Sequence, residues 1–207
     1  MKLYDITHPL GNGSAPWPGD TAFSLELTWR MAEGASVNVS RLTLSPHNGT
    51  HADAPFHYDP NGLTMAEVPP DRYIGPARLV ALEGRASVSL ADLAKLDLSG
   101  TTRLLVRTGS CPDPIHFYPD FTYFEPAAVA YLAQNGIGLI GTDAHSMDPA
   151  DSKDLPAHHA CRGAGILILE NLNLATVPTG DYELIALPLK LAGADGSPVR
   201  AVLRERG

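Results

Sequence analysis

The sequence has few cysteines and no long apolar run, and both absences restrict the class of protein. Cys111 and Cys161 are the only cysteines among 207 residues, too few and too widely spaced for a zinc motif of paired cysteines. We expect two reduced thiols in a cytoplasmic protein, with a disulfide between them as the alternative. The longest apolar runs are AGILIL and LIALPLKLA, far shorter than the ~20 residues of a membrane span. We expect neither a membrane segment nor a signal peptide.

Clusters of basic residues are also absent. The chain carries 15 Lys and Arg against 23 Asp and Glu, a formal net charge of −8, and its basic residues are scattered. Because nucleic-acid binding requires clustered positive charge to neutralise phosphates, this distribution argues against a nucleic-acid partner. Hydrophobic residues make up 44% of the chain and charged residues 18%, as in an ordinary globular protein.

Short apolar segments bounded by turn residues predict a strand-rich domain. These segments are too short for helices of ordinary length, and they span residues 37–45, 77–83, 103–108, 137–143, 165–171, 182–191 and 198–205. The last two are predicted to form a hairpin, because Asp195-Gly196 between them suits a tight turn.

Two segments have the signals of helices. Ser89 precedes an apolar stretch and is followed three residues later by Asp92, an approximate capping box. Pro126 opens an alanine-rich segment that ends before Gly136, the usual order of residues at helix ends. With no repeat or linker in the sequence, we predict one α/β domain over residues 1–207, containing a mixed sheet of at least five strands.

Three histidines and an aspartate crowd into one short segment, SPHNGTHADAPFH, residues 45–57. A single buried histidine is usually a hydrogen-bonded core residue, but His47, His51 and His57 close together would oppose one another's protonation. With Asp53, neutral imidazoles instead suit a divalent cation. The absence of thiolate favours Zn²⁺, Mn²⁺ or Fe²⁺. One open catalytic zinc needs fewer groups, so either one group is a base or a second metal takes ligands from elsewhere.

Two other segments offer such ligands. AHHACRGAGILILENL carries His158 and His159, and then Glu170 at the end of an apolar strand, where a carboxylate is unfavourable unless paired or metal-bound. The segment GTDAHSMDP carries three more candidates, Asp143, His145 and Asp148. We expect Asp148 to be a turn residue before a proline rather than a ligand.

The segment SPHNGTHADAPFHY resembles the H-x-G-T-H-x-D-x-P-x-H signature of the metal-dependent cyclase family of hydrolases. YDITHPL, WPGD, SMDPADSKDLPAHHA and GDYELIALPLKLAGADGSPVRAVLRE also resemble members of that family. The resemblance runs nearly end to end, is weaker from about residue 86 to 133, and leans at the C-terminus towards a formamidase branch. It implies a compact α/β domain with a central, mixed, barrel-like sheet and a few helices, assembled at least as a homodimer.

The resemblance also implies the roles of the site residues. Two zinc ions per subunit are implied, with manganese as an alternative, and Asp53 bridges them. The implied ligands of the first ion are His47, His51 and Asp53, and those of the second are Asp53, His158 and Glu170. His158 is preferred to His159 by its position in the matching segment. His57, which is not needed as a ligand, is then the catalytic acid and base.

The implied reaction is hydrolysis of N-formyl-L-kynurenine to L-kynurenine and formate, a step of tryptophan breakdown. Trp17 is the expected pocket wall, because a tryptophan between prolines in a loop is stiff and poorly placed for a core. His145 stands where the branch has a proline, which makes it either a surface substitution or a pocket residue. The alternatives are an isatin or other cyclic-amide hydrolase of the same family and a metal-stabilised binding protein without turnover. A purely structural zinc site is disfavoured by the lack of cysteine ligands.

Overall fold

A computed structural model describes residues 1–206 of the chain. The strands within this range are β1 (Leu3–Asp5), β2 (Ser24–Trp29), β3 (Val39–Thr43), β4 (His51–Asp53), β5 (Ile74–Ala81), β6 (Ser87–Val88), β7 (Arg103–Arg107), β8 (Tyr123–Phe124), β9 (Leu139–Thr142), β10 (Leu167–Glu170), β11 (Gly180–Ile185), β12 (Gly196–Pro198) and β13 (Val202–Glu205). The α-helices are α1 (Leu90–Leu93), α2 (Pro126–Gln134) and α3 (Pro156–Ala164). Short 3₁₀ helices cover Met31–Glu33, Pro55–His57, Met65–Glu67 and Pro70–Tyr73.

Nine strands form one mixed sheet that curls into a half-barrel, in the order β1-β13-β11-β5-β7-β9-β10-β4-β12. The four central strands, β5, β7, β9 and β10, are parallel, and the outer pairs are antiparallel. Helices α1, α2 and α3 lie in the three successive crossovers between the parallel strands, as parallel pairing requires. The predicted α/β class, with a central mixed sheet of more than five strands, is confirmed.

Successive side chains of the central strands point to opposite faces of the sheet, and each face packs into its own hydrophobic core. Leu104 and Val106 of β7 pack with the helices, whereas Leu105 packs into the second core inside the curl. Because successive side chains of a strand point to opposite faces, a strand buried on both sides is a continuous apolar run. Burial of each such side chain contributes roughly 1.5–3 kcal/mol, so these two cores stabilise the sheet that carries the site.

The predicted helix signals at α1 and α2 are confirmed. Ser89 accepts a hydrogen bond from the backbone N–H of Asp92 and completes a capping box. Pro126 occupies the first turn of α2, and Gly136 has φ 80° just beyond its end. Helix α3 was not predicted from the sequence.

The predicted hairpin is right in its pairing and wrong in its turn. Strands β11 and β13 pair antiparallel, but Gly196 opens β12, in register with Asp53 of β4. The backbone carbonyl of Asp195 accepts a hydrogen bond from the N–H of Ala54 at 2.9 Å. Gly196 therefore begins an edge strand, with Asp195 immediately before it, and the chain turns instead at Ala192-Gly193.

The segment predicted as a strand at residues 37–45 forms β3, which pairs with β2 in a separate two-stranded sheet. Nearly every residue of this β2–β3 hairpin is exposed. Cys111 and Cys161 are buried free thiols, as predicted. None of the helices in residues 1–206 is both long enough and apolar enough to cross a membrane.

Candidate metal centre

Two neighbouring strands and one helix bring the predicted ligands together. Strands β4 and β10 pair antiparallel, with His51 opposite Glu170 and Asp53 opposite Ile168. Residues two apart in a strand point to the same side, so His51, Asp53 and Glu170 project from one face of the sheet. Helix α3 adds His158, which is buried with them.

The side-chain atoms converge on Asp53. Its Oδ1 lies 3.0 Å from Nδ1 of His47 and 3.3 Å from Nε2 of His51. Its Oδ2 lies 3.4 Å from Nε2 of His158. Glu170 lies 3.4 Å from Nε2 of His51 and 3.6 Å from Nε2 of His158.

These atoms form two groups with the spacing of metal ligands, and the groups share Asp53. The first contains His47, His51 and Asp53, and the second contains Asp53, His158 and Glu170. All five predicted ligands are therefore brought together, in the same partition that the resemblance implies. His159 is exposed, one position beyond the buried His158.

The centre contains buried polar atoms without partners. Within residues 1–206, neither carboxylate oxygen of Asp53 has a hydrogen bond, and Nε2 of His51 also lacks one. An unpaired buried carboxylate is strongly unfavourable, and almost all such groups in proteins have a partner. Divalent cations would satisfy these atoms, so the residues fit the metal pair that the resemblance implies.

The other nitrogen of each imidazole is held by an oxygen acceptor outside the cluster. Nδ1 of His51 donates to the carbonyl of Gly49 at 2.8 Å, and Nδ1 of His158 donates to Asp148 at 2.7 Å. Nε2 of His47 lies 3.1 Å from Oδ2 of Asp195. Such outer partners fix the ring orientation and tautomer of metal-binding histidines. Once the inner nitrogen of each ring loses its proton, its lone pair is directed at the centre.

Asp148 has a larger role than the turn residue predicted from the sequence. It is buried and accepts the backbone N–H groups of Ala157 and His158, at 2.8 and 3.0 Å, as well as the imidazole of His158. It thereby caps the first turn of α3, where Leu155 provides no side-chain cap. No local sequence pattern indicates this contact, because Asp148 precedes the helix by eight residues.

In the absence of a cation, protons balance the buried carboxylates. Burial opposes charge on the imidazoles, but the surrounding carboxylates more than offset it and raise the pKa of His51 and His158 to about 10 and that of His47 to about 9. Burial likewise opposes ionisation of Asp53, yet the three imidazoles hold its pKa well below the usual range. Protons and cations therefore compete for the same atoms.

A cleft of about 330 Å³ opens over the centre, and Trp17, His57, Phe117, His145 and Lys153 are among its lining residues. Trp17 meets Phe117 edge-on, with ring centroids 5.1 Å apart. Both rings line the cleft.

His145 also lies in the cleft wall, which favours the pocket alternative over a surface substitution. Its ring stacks on Phe117 at 5.0 Å, and Nε2 accepts the backbone N–H of Tyr118 at 3.2 Å. Nδ1 then donates to Oδ1 of Asn171 at 2.7 Å. Asp143 lies apart from the centre and accepts the backbone N–H of Thr108.

His57 stands at the mouth of the centre, with 34% of its side chain exposed. Its ring lies 4.0 Å from that of His47 and 6.1 Å from that of His158, by centroids. Burial lowers the pKa of His57. The residue belongs to neither of the two groups that share Asp53, and it faces the cleft.

The chain is similar over most of its length to several known proteins. The family model described as "Putative cyclase" matches residues 4–149. A kynurenine formamidase of Geobacillus thermodenitrificans (strain NG80-2) is 47% identical over 203 residues, 98% of this chain and 97% of that protein. The fold resembles a solved protein described as a "potential metal-dependent hydrolase with cyclase activity", with TM-score 0.85, 30% identity and 99% of each chain covered. It also resembles isatin hydrolase A from Labrenzia aggregata, with TM-score 0.82, 25% identity, and 98% and 93% of the two chains covered.

Proposed function

The chain belongs to the cyclase family, and on that premise we propose that it hydrolyses N-formyl-L-kynurenine to L-kynurenine and formate. The observation that carries the proposal is the pair of buried ligand groups joined by Asp53, whose carboxylate oxygens have no hydrogen bond within residues 1–206. The near full-length similarity to a formamidase favours a linear formamide as the substrate. The alternative within the family is the ring opening of isatin or another cyclic amide, which the weaker similarity to an isatin hydrolase favours less.

The residues that would hold two zinc ions, or two manganese ions, are His47, His51, Asp53, His158 and Glu170, with Asp53 shared. Bound there, divalent cations would lower the pKa of water and polarise the formyl carbonyl. The chain's own task is to hold the ligands rigidly, and the acceptors behind the three imidazoles do so.

His57 supplies the proton that the leaving group needs. In the reaction the oxygen of water bonds to the formyl carbon, the carbon–nitrogen bond breaks, and the aniline nitrogen must gain a proton because it leaves poorly as an anion. An imidazole in the cleft that is not needed as a ligand can first accept the proton of water and then deliver it to nitrogen.

The cleft also has groups suited to the rest of the substrate. Trp17 and Phe117 provide an aromatic wall for the aryl ring. Lys153 is the one lysine or arginine among the described residues that line the cleft, and we assign it to the carboxylate of the amino-acid arm.

We also propose that residues 1–207 act as one cytoplasmic hydrolase domain that works as a homodimer. The β2–β3 hairpin supports the dimer, because Leu25, Trp29, Val39 and Leu42 expose between 39% and 59% of their surface. Clustered large apolar side chains on a monomer favour association. Sedimentation equilibrium of the unaltered chain and of Trp29→Ser, Leu42→Ser tests this assignment: the unaltered chain should be a dimer and the double variant a monomer.

The activity is tested by measuring metal content together with turnover of N-formyl-L-kynurenine and of isatin. We expect about two ions per chain and a kcat/KM for the formamide at least tenfold above that for isatin. His57→Ala should keep its metal and lose on the order of 100-fold or more in kcat. Equal or greater turnover of isatin would favour the cyclic-amide alternative. Absence of turnover on any amide with metal fully loaded would favour a binding protein.

A further inference from the structure

Strand β12 carries a carboxylate to the metal centre that the motif of residues 45–57 does not contain. Gly196 lies opposite Asp53 in the sheet, so the preceding residue, Asp195, reaches the centre from the sheet edge. The backbone carbonyl of Asp195 accepts the N–H of Ala54 at 2.9 Å, which fixes this position.

Gly196 allows the close approach of His47 to this strand. A Cβ at position 196 would lie 2.9 Å from Cε1 of His47 and 3.1 Å from the backbone oxygen of Ala52. Real Cβ atoms make such contacts only when the neighbour moves. The absence of a side chain here therefore lets the His47 ring lie against the backbone, next to the carboxylate of Asp195.

One oxygen of Asp195 faces two histidines with different expected tasks. Its Oδ2 lies 3.1 Å from Nε2 of His47 and 3.6 Å from Nδ1 of His57. Within residues 1–206, His57 has no other carboxylate within 4.0 Å of a ring nitrogen. The two rings are themselves 4.0 Å apart by centroids.

We propose that Asp195 is a positioning residue that holds His57 for proton transfer and, through the same oxygen, fixes the metal ligand His47. A carboxylate beside Nδ1 favours the tautomer that carries its proton on that nitrogen. Nε2 of His57 then has its lone pair available towards the cleft. The same carboxylate stabilises the imidazolium while His57 carries the proton. The effect on turnover rests on the proposed function.

The direct test is a spectroscopic one that does not depend on activity. In zinc-loaded protein labelled with ¹⁵N-histidine, His57 is assigned by its absence from the spectrum of His57→Gln. We expect a protonated Nδ1 and an unprotonated Nε2 in the unaltered chain, and a mixture of tautomers in Asp195→Asn. His57 signals that are identical in both proteins would overturn the proposal.

Kinetics and metal content test the consequence. With excess zinc, Asp195→Asn should bind as many ions per chain as the unaltered protein, with kcat about 10–100-fold lower and KM within about twofold. Asp120→Asn is the matched control, because Asp120 is exposed and has no side-chain hydrogen bond or ion pair in the part of the chain described. It should leave kcat unchanged, and thermal unfolding checks that both variants are folded.

One outcome in metal content and one in kinetics would contradict the assignment. If Asp195→Asn loses a whole ion per chain despite excess zinc, then Asp195 is itself a ligand, with His47 and His57 completing that group. If kcat is unchanged, then the carboxylate does not position His57. Failure of the unaltered chain to hydrolyse the formamide would refute the proposed function alone, since the tautomer of His57 is measured without substrate.

Discussion

Replacing Asp148 by asparagine removes one of two acceptor oxygens that hold both a metal-binding imidazole and the start of α3. Oδ1 accepts the N–H of Ala157 at 2.8 Å, whereas Oδ2 accepts the N–H and the Nδ1–H of His158 at 3.0 and 2.7 Å. An asparagine keeps one oxygen, and its amide NH₂ then faces an N–H donor on the other side. Either orientation loses at least one hydrogen bond to a buried, charged acceptor.

The magnitude follows from the number of bonds lost. Hydrogen bonds to charged groups contribute roughly 1.5–3 kcal/mol each, so the free energy of unfolding of Asp148→Asn should fall by about 1.5–3 kcal/mol for the one bond that either orientation must lose. An asparagine oriented to keep the bond to Ala157 releases the His158 ring, which loosens one metal ligand. Losing such an outer partner typically weakens metal affinity by about 10–100-fold.

The assay is guanidinium unfolding followed by circular dichroism, in excess metal and again in chelator, with metal affinity measured by competition with a chelating dye. Asp120→Asn serves as the control for a lost carboxylate at an exposed position. An Asp148→Asn variant with the same unfolding midpoint and the same metal affinity as the unaltered chain would contradict this prediction. A loss of stability in metal that disappears in chelator would restrict the role of Asp148 to the metal site.

Three further predictions follow from the same geometry. Glu170→Gln should lower the metal affinity of its group by at least about 10–100-fold, which elemental analysis after dialysis would measure; unchanged metal content would contradict it. Lys153→Met should raise KM for the formamide about tenfold, the loss of ~1.4 kcal/mol, with kcat within about twofold; Lys190→Met, at an exposed position, should change neither. In the metal-free protein, burial opposes the charged form of His51 and His158, but the neighbouring carboxylates outweigh it and raise the pKa of both to about 10. The stabilisation of the folded state by these protonated imidazoles is fully present below about pH 6.5 and is lost as pH rises through about 10. Chelated protein should therefore unfold more easily at pH 9.5 than at pH 6.5, and a midpoint independent of pH would refute this prediction.

Several candidate ligands of the metal centre could be predicted, because each stands in a recognisable pattern within a short segment of the sequence. His51 and Asp53 are two apart, so a strand puts both on one face. Glu170 ends an apolar run, where a lone carboxylate would be strongly unfavourable. These patterns do not depend on which elements become neighbours, and the structure brings the three residues together.

The acceptors around the centre could not be predicted, because their partners are distant in the chain. Asp148 is defined by the start of α3, and the sequence signals for that helix are weak: Leu155, at its N-cap, has φ 42° and no side-chain cap. Asp195 followed by glycine has the local pattern of a tight turn. Its true environment is set by pairing of β12 with β4, more than 140 residues earlier in the chain.

The fold class and the central strands could be predicted from the sequence, whereas the exposed β2–β3 hairpin could be predicted only in part. The buried central strands are apolar runs with clear ends, and their predicted positions agree with β5, β7, β9 and β10 to within three residues. Strand β2 was missed, because both faces of the β2–β3 hairpin are exposed and no core dictates an alternating pattern. Whether such segments form strands depends on tertiary contacts more than on the strand propensity of their residues.

The central claim is that Asp53 lies between two cations. A crystal structure of the protein as purified, with anomalous diffraction recorded on both sides of the zinc absorption edge, measures this directly. We expect two anomalous peaks: one bounded by His47, His51 and Asp53, and one bounded by Asp53, His158 and Glu170. A centre with no anomalous peak after loading with zinc or manganese, and with hydrogen-bonded water around Asp53, would contradict it.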